Sequence, residues 1–326
     1  MKTKLVYAVT SDKTDIYLEQ TLVSIYSARL HNPDSVICLI VDNYTNDTIV
    51  GNRGLILKYI DQKCVVPVPK NYSKKLRSRY VKTSIREIIH GDFLFIDGDT
   101  IITEPLSDVD NFNFEIGAVI DYHIVLSKHA NRDMISKDCA RIGIMAPEHY
   151  FNSGVIYCKD SLCTHRLFNE WHNAYCNNIA NGVSQDQPTL ALADHKCGYI
   201  LHELDGIWNC QVKRNGLRYL NKAKIIHYFG SESKAYAAQI EYLFCNDELY
   251  RKVAEEGYIT PEIKSMVIEA KSAFPEQVQL CAGEFLATQV FKRFRYLFYQ
   301  HRNLFNVLNN IVSGMFSCAR VFAKGR

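Results

Sequence analysis

Residues 93–102 read Phe-Leu-Phe-Ile-Asp-Gly-Asp-Thr-Ile-Ile. Four bulky apolar side chains in a row, Phe93 to Ile96, predict a buried strand. That strand runs directly into two aspartates separated by one glycine. In extended geometry residues i and i+2 point the same way, so the carboxylates of Asp97 and Asp99 can converge on one hard cation. Oxygen ligands of this kind suit Mg²⁺ or Mn²⁺, ions that share their coordination sphere with phosphate groups. The alternative is a solvated turn after a strand, which an isolated Asp-X-Asp does not exclude.

Outward from this stretch, the chain alternates short apolar runs with amphipathic segments. Leu5–Thr10 predicts a strand, 15–30 a helix stopped by His31-Asn32-Pro33, and Val36–Val41 a second strand ending at Asp42. A short helix over 52–60, a strand over Cys64–Val68 and a basic amphipathic helix over 76–90, broken at Gly91, lead back to Phe93. Later strands are expected at Ile116–Ile120, Gly154–Tyr157 and Ile225–Ile226, with a helix over Leu162–Cys176. This alternation implies an α/β fold: a mostly parallel, twisted sheet, Rossmann-like, with helices on both faces. Such sheets bind ligands beyond the carboxyl ends of their strands. The Thr10–Asp12 and Asp97–Asp99 loops occupy those ends.

At 326 residues, 47% apolar and 22% charged, the composition fits a soluble globular protein with one large α/β domain and an appendage. The net charge of +3 conceals an asymmetry. From Phe285 to Arg326 there is no acid, while Lys292, Arg293, Arg295, Arg302, Arg320, Lys324 and Arg326 are basic. The rest of the chain is therefore slightly acidic, and the tail is suited to an anionic partner. Phe291, Phe294, Phe298 and Phe305 with Leu297, Leu304 and Leu308 can form an apolar face, which suits a helix lying on an anionic membrane surface through residues 285–326. A helix docked on the main domain and an RNA-binding tail are the alternatives; no nucleic-acid partner is expected. The composition shift divides the chain into 1–250, the main α/β domain, and 251–326, a helical, basic and aromatic membrane-associating region. The 11 cysteines have no metal-ligand spacing, so buried reduced thiols are expected. Without a signal-peptide core or a spanning apolar run, the reading is a cytoplasmic protein, peripheral at the inner face of the membrane.

Seven blocks stand in a telling order: LVYAVTSD, SRYVKTSIRE, FLFIDGDTII, YFNSGVIYCKD, QDQPTLALA, WNCQ and IIHYFG. Over about residues 4–236 the chain resembles glycosyltransferase family 8, the retaining transferases related to bacterial lipopolysaccharide galactosyl- and glucosyltransferases and to glycogenin. The resemblance implies a GT-A fold, a nucleotide-sugar donor such as a UDP-sugar, a divalent metal (Mn²⁺ or Mg²⁺) and retention at the anomeric carbon. The function it implies is transfer of a hexose to a glycan or lipid-linked acceptor, in cell-envelope polysaccharide or lipopolysaccharide synthesis.

Carried over residue by residue, the resemblance makes Asp97, Asp99 and His227 the metal ligands, with Gly98 between the first two. Ala8, Val9 and Thr10 match the loop that holds base and ribose; the family often has an Asp here, and Asp12 lies just beyond. Arg79 and Lys82, at i,i+3 and so on one helix face, match a basic position against the sugar or diphosphate. Asn152, Ser153 and Gly154 match a block near the donor sugar, Asp121 a polar position at the sugar or acceptor site, and Asp186–Gln187 the pair beside the anomeric carbon. Gly230 follows His227 at the family's spacing. The family continues to a Lys and Pro-Trp; here Lys234 comes one residue late and Pro-Trp is absent.

Two other readings compete. DGDT also resembles the nucleophile motif of dehalogenase-type phosphatases, but those place it on the first strand with a second acidic motif far downstream, whereas Gly91–Asp92 lies just upstream. A non-catalytic glycan-binding protein would have no need of intact Asp97, Asp99 and His227.

Overall fold

In the computed structural model of the chain, residues 1–230, 242–275 and 289–323 are described. The chain divides into two compact units. The first comprises Met1–Ser231 with Gln239–Phe274; the second contains the C-terminal helices.

The first unit is built on a seven-stranded sheet of order β3-β2-β1-β4-β7-β6-β8. Its strands are β1 (Lys4–Val9), β2 (Ile37–Asp42), β3 (Gln62–Val66), β4 (Phe93–Ile96), β6 (Ile116–Ile120), β7 (Phe151–Cys158) and β8 (Leu201–Glu203). All run the same way except β7, which is antiparallel to β4 and β6. A smaller sheet of order β5-β10-β9 joins Thr100–Ile102 (β5), Ile225–His227 (β10) and Cys210–Gln211 (β9). The helices are α1 (Tyr17–His31), α2 (Asn43–Asn46), α3 (Lys74–Thr83), α4 (Ile85–Ile88), α5 (Arg132–Arg141), α6 (Leu162–Asn178), α7 (Gln187–Lys196), α8 (Asp247–Glu256) and α9 (Pro261–Ile268).

The alternation of side chains along a strand builds a core on each face of the sheet. Leu5, Tyr7 and Val9 of β1, with Leu39, Val41, Leu94 and Ile96, face α1, α8 and α9 through Leu22, Ile25, Val253 and Ile263. Val6, Cys38, Ile40, Phe93 and Phe95 point the other way, onto Val81, Ile85, Leu167, Phe168, Trp171 and Leu190 of α3, α4, α6 and α7. Both faces are covered, which is why the central strands read as continuous apolar runs. Each fully buried large apolar side chain contributes about 2–3 kcal/mol.

Three local readings change. The expected helix over 76–90 is two, α3 and α4, because Thr83 Oγ1 and Ser84 Oγ bond back to the carbonyls of Tyr80 and Val81 at the break. The segment expected as a helix over 52–60 is a 3₁₀ helix, Gly51–Lys58. A boundary at residue 250 falls within α8, whose Leu249, Tyr250 and Val253 belong to the core of the first unit.

The second unit carries α10 (Gln289–Gln300) and α11 (Arg302–Ala323). Phe298 and Phe305 meet edge to face at 5.0 Å, and the Arg302 guanidinium lies 3.7 Å from the centre of the Phe298 ring. Val290, Tyr296, Leu304, Val307, Ile311 and Met315 are exposed. Among the described residues, no helix is long and apolar enough to cross a membrane. The described cysteines are free thiols, with Cys38, Cys139, Cys158 and Cys210 buried.

Candidate active site

The polar residues singled out above gather at one edge of the sheet. The ends of β1, β4 and β6 deliver Thr10, Asp97 and Asp121 there. Because β7 runs in reverse, its amino end brings Asn152, Ser153 and Gly154 to the same edge, with Phe151 opposite Ile120 and Val155 opposite Ile96. His227 arrives through the small sheet. Strand β5 follows directly on Asp99, and its antiparallel partner β10 places His227 opposite Thr100. The Tyr228 N–H then donates to the Asp99 carbonyl at 3.1 Å.

Asp97, Asp99 and His227 converge, with one ligand atom from each within 4.8 Å of the others. The backbone reaches this through a bend at Gly98 and Asp99, not a continuous strand. His227 Nε2 lies 3.3 Å from Asp99 Oδ1, and the Gly230 N–H donates to Asp99 Oδ2 at 3.0 Å. Lys82 Nζ lies 3.1 Å from each oxygen of Asp97. Desolvation lifts the Asp97 carboxyl above its ordinary value, with Asp99 adding to the effect and Lys82 opposing it. Desolvation acts on Asp99 too, but the charge and hydrogen bond of His227 outweigh it and hold that carboxyl at about 2. His227 is buried, which disfavours its charged form, yet Asp99 and Asp97 raise its pKa above the ordinary value. Two carboxylates and an imidazole, with one carboxyl under-neutralised, form a donor set suited to Mn²⁺ or Mg²⁺.

Two glycines make room for this corner. A Cβ on Gly154 would lie 2.5 Å from His227 Cε1, and one on Gly98 would lie 2.2 Å from Thr21 Oγ1 of α1. Neither position accepts a side chain without displacing its neighbour.

Beside the triad stands a second charged group. Ser153 Oγ donates to Asp186 Oδ2 at 2.7 Å, Lys82 Nζ lies 3.5 Å from the same oxygen, and Arg79 Nε lies 3.6 Å from Oδ1. Desolvation works to raise the Asp186 carboxyl, but Lys82, Arg79 and Ser153 together hold it below the ordinary value. Lys82 thus bridges Asp97, Ser153 and Asp186, while the more open Arg79 side chain keeps 31% of its surface exposed. Gln187, at the start of α7, donates from Nε2 to the Phe151 carbonyl at 3.0 Å. Asp121 is buried, accepting from Asn152 Nδ2 at 2.8 Å and facing His129 Nε2 at 3.1 Å.

The end of β1 is held differently. Thr10 Oγ1 bonds the Lys74 carbonyl at 3.4 Å, with Val9 buried and Ala8 half-buried before it. Arg53 donates to the Asp12 carbonyl and to Ser11 Oγ, each at 2.7 Å, and faces buried Glu19 at 3.5 Å. Lys74 pairs with Asp12 and Asp15. Lys234 lies outside the described residues.

Several residues at the edge escaped sequence reasoning. His129 partners Asp121, Arg53 braces the first loop, and buried Lys213 donates to the Phe229 carbonyl at 3.0 Å. Asn209 bonds both His227 and Asn152. Only Asn209 carried a signal, its place in the WNCQ block.

A doubly covered, mostly parallel sheet with Asp-X-Asp and a distant His at its carboxyl edge is the arrangement of a GT-A glycosyltransferase. The chain belongs to glycosyltransferase family 8: the profile of that family, described as glycosyl transferase family 8, matches residues 8–238. No curated protein matches the sequence. Among solved structures, the galactosyltransferase LgtC in complex with donor and acceptor sugar analogs matches with a TM-score of 0.50 and 15% identity, over 81% of this chain and 99% of that one. Mouse xyloside xylosyltransferase 1 matches with a TM-score of 0.45 and 14% identity, over 70% and 98% of the two chains. The glycosyltransferase GlyE of Streptococcus pneumoniae TIGR4 gives 0.46 and 16%, over 85% and 67%. The phosphatase alternative finds no support.

Proposed function

We propose that this glycosyltransferase is a metal-dependent, retaining hexosyltransferase that takes its sugar from a UDP-sugar and passes it to a glycan or lipid-linked acceptor of the cell envelope, in polysaccharide or lipopolysaccharide synthesis. The observation that carries this reading is the convergence of Asp97, Asp99 and His227 within 4.8 Å at the ligand-binding edge of the sheet. Mn²⁺ or Mg²⁺ bound by these three would offset the charge of a departing diphosphate. Ala8, Val9 and Thr10 would line the base and ribose, and Gly98, Gly230 and Lys234 the diphosphate.

Lys82 and Arg79 supply positive charge beside the triad, where it stabilises a developing anion. Asp186 stays ionised, but its oxygens are engaged by Ser153 and faced by Lys82 and Arg79. A carboxylate so committed is a poor nucleophile, and the neighbouring Gln187 amide is poorer still. Front-face attack is therefore favoured over double displacement. The acceptor hydroxyl bonds to the anomeric carbon on the face from which the diphosphate leaves, the carbon–oxygen bond to the diphosphate breaks, and the hydroxyl proton passes to a phosphate oxygen. Asp121, Asn152, Ser153 and Gly154 would line the sugar and acceptor site. Residues 285–326, basic and with exposed apolar side chains on α10 and α11, are proposed to rest on anionic lipid, placing the enzyme at the cytoplasmic membrane face.

The test is a panel of UDP-sugars with Mn²⁺, read as UDP released by slow hydrolysis, which requires no acceptor. One UDP-hexose should release UDP, and chelation should stop it. Absence of release, together with no metal-dependent nucleotide binding across the panel, overturns the reading.

A further inference from the structure

A line of side-chain hydrogen bonds runs from Asp121 to the metal corner. Asn152 Nδ2 donates to Asp121 Oδ1 at 2.8 Å. Asn152 Oδ1 accepts from the Gly154 N–H and from Asn209 Nδ2, both at 2.9 Å. Asn209 Oδ1 lies 3.0 Å from His227 Nδ1. Asp121, Asn152, Asn209 and His227 are all buried, Asn209 completely.

The direction of every bond follows from one group that cannot reverse. The Gly154 backbone N–H only donates. Asn152 must therefore turn its oxygen to Gly154 and its NH₂ to Asp121. Asn209 meets that oxygen with its own NH₂, which leaves its oxygen toward His227. An acceptor at that place requires the proton on Nδ1. Nε2, the nitrogen facing Asp99, is then the one able to offer a lone pair to a cation.

We propose that Asn209, oriented by Asn152 and Asp121, is a positioning residue that fixes the Nδ1–H tautomer of His227 and so makes its Nε2 a ligand. The proposal rests on the metal reading above. It concerns a residue outside the proposed ligand set, 57 residues from one partner and 18 from the other. Side chains that accept the second N–H of a ligating histidine commonly change metal affinity about 10- to 100-fold when removed.

The experiment measures Mn²⁺ affinity of the full chain by isothermal titration, for the wild type, Asn209→Asp and Asn209→Leu. Asp keeps an acceptor for Nδ1–H; Leu keeps the volume and removes it. The positioning role predicts that Asn209→Leu loses about 10- to 100-fold in affinity while Asn209→Asp stays within about threefold. A purely structural role predicts the reverse order, because Asn209→Asp buries a charge against the Asn152 oxygen. That order, or wild-type affinity in Asn209→Leu, overturns the proposal. ¹⁵N spectra of histidine-labelled wild type with Mg²⁺ should show His227 protonated at Nδ1 alone; a proton on Nε2 also overturns it. A wild type that takes up no Mn²⁺ overturns the metal reading, and the positioning role with it.

Discussion

Two carboxylate pairs stand at the ends of adjacent strands, Asp12 and Asp15 after β1 and Asp97 and Asp99 after β4, and they are treated in opposite ways. Around the first, the oxygens are met by groups of the loop itself. Thr14 bonds Asp12 through N–H and hydroxyl, Ser11 and Tyr17 bond Asp15, and Lys74 joins both. Lys74 and Thr14 hold the Asp12 carboxyl well below the usual carboxylate range. Asp97 receives no backbone hydrogen bond on its carboxylate among the described residues; Lys82 Nζ bonds both of its oxygens. Desolvation and Asp99 push its pKa up. The first pair is met by its own loop and shapes it, whereas Asp97 and Asp99 are met from distant elements, by Lys82, His227 and the Gly230 N–H, and this is the pair proposed to hold a cation. Sequence alone shows only that both are acidic and both follow a strand.

Substitutions that break this contrast should act on one pair and spare the other. The largest effect is expected for Asp99→Asn, which removes a proposed ligand: Mn²⁺-dependent nucleotide binding should fall by more than the roughly 100-fold upper range for a lost supporting hydrogen bond, measured by titration calorimetry. Gly154→Ala should approach it, weakening Mn²⁺ binding about 10-fold or more with the fold retained, because the new methyl group would sit 2.5 Å from His227 Cε1. At the other pair, Arg53→Gln removes the cation facing buried Glu19 and should cost about 3 kcal/mol in denaturant unfolding while leaving Mn²⁺ affinity unchanged.

The contrast extends to a group the fold keeps neutral. His123 is buried, which together with the Arg218 charge holds its pKa at about 4 against an ordinary 6.5. The folded state therefore binds fewer protons than the unfolded one in this window. His123 contributes stability that is present above the unfolded pKa and lost as pH falls from 6.5 towards 4. At pH 5 the loss should be about 2 kcal/mol, and His123→Gln should flatten that part of the stability profile. The smallest effect is expected in the tail, where Arg293→Ala should weaken sedimentation with anionic vesicles about fivefold, the equivalent of about 1 kcal/mol per basic residue near the surface.

Much of the fold could be read from apolar runs. Phe93–Ile96 and Ile37–Val41 are buried on both faces of the sheet, and that continuity is visible in their residues. The reversal of β7 was not visible, because alternation in Phe151–Cys158 carries no direction. The break between α3 and α4 depends on hydroxyls bonding back at Thr83 and Ser84, and helical periodicity continues across it. In the site, Asp97, Asp99 and His227 announced themselves by residue type and order. Asn209 did not: an asparagine near a turn is common, and its purpose depends on partners far away in the chain. Arg79 and Lys82, equivalent as neighbours on a helix face, were separated only by what each touches.

The central claim is that one divalent cation sits among Asp97, Asp99 and His227. Its most direct test is anomalous diffraction at the manganese edge from crystals of the full chain soaked with Mn²⁺ and UDP. A single strong peak within bonding distance of all three side chains is predicted. Occupied UDP with no peak there, or a peak held by other residues, would contradict the account.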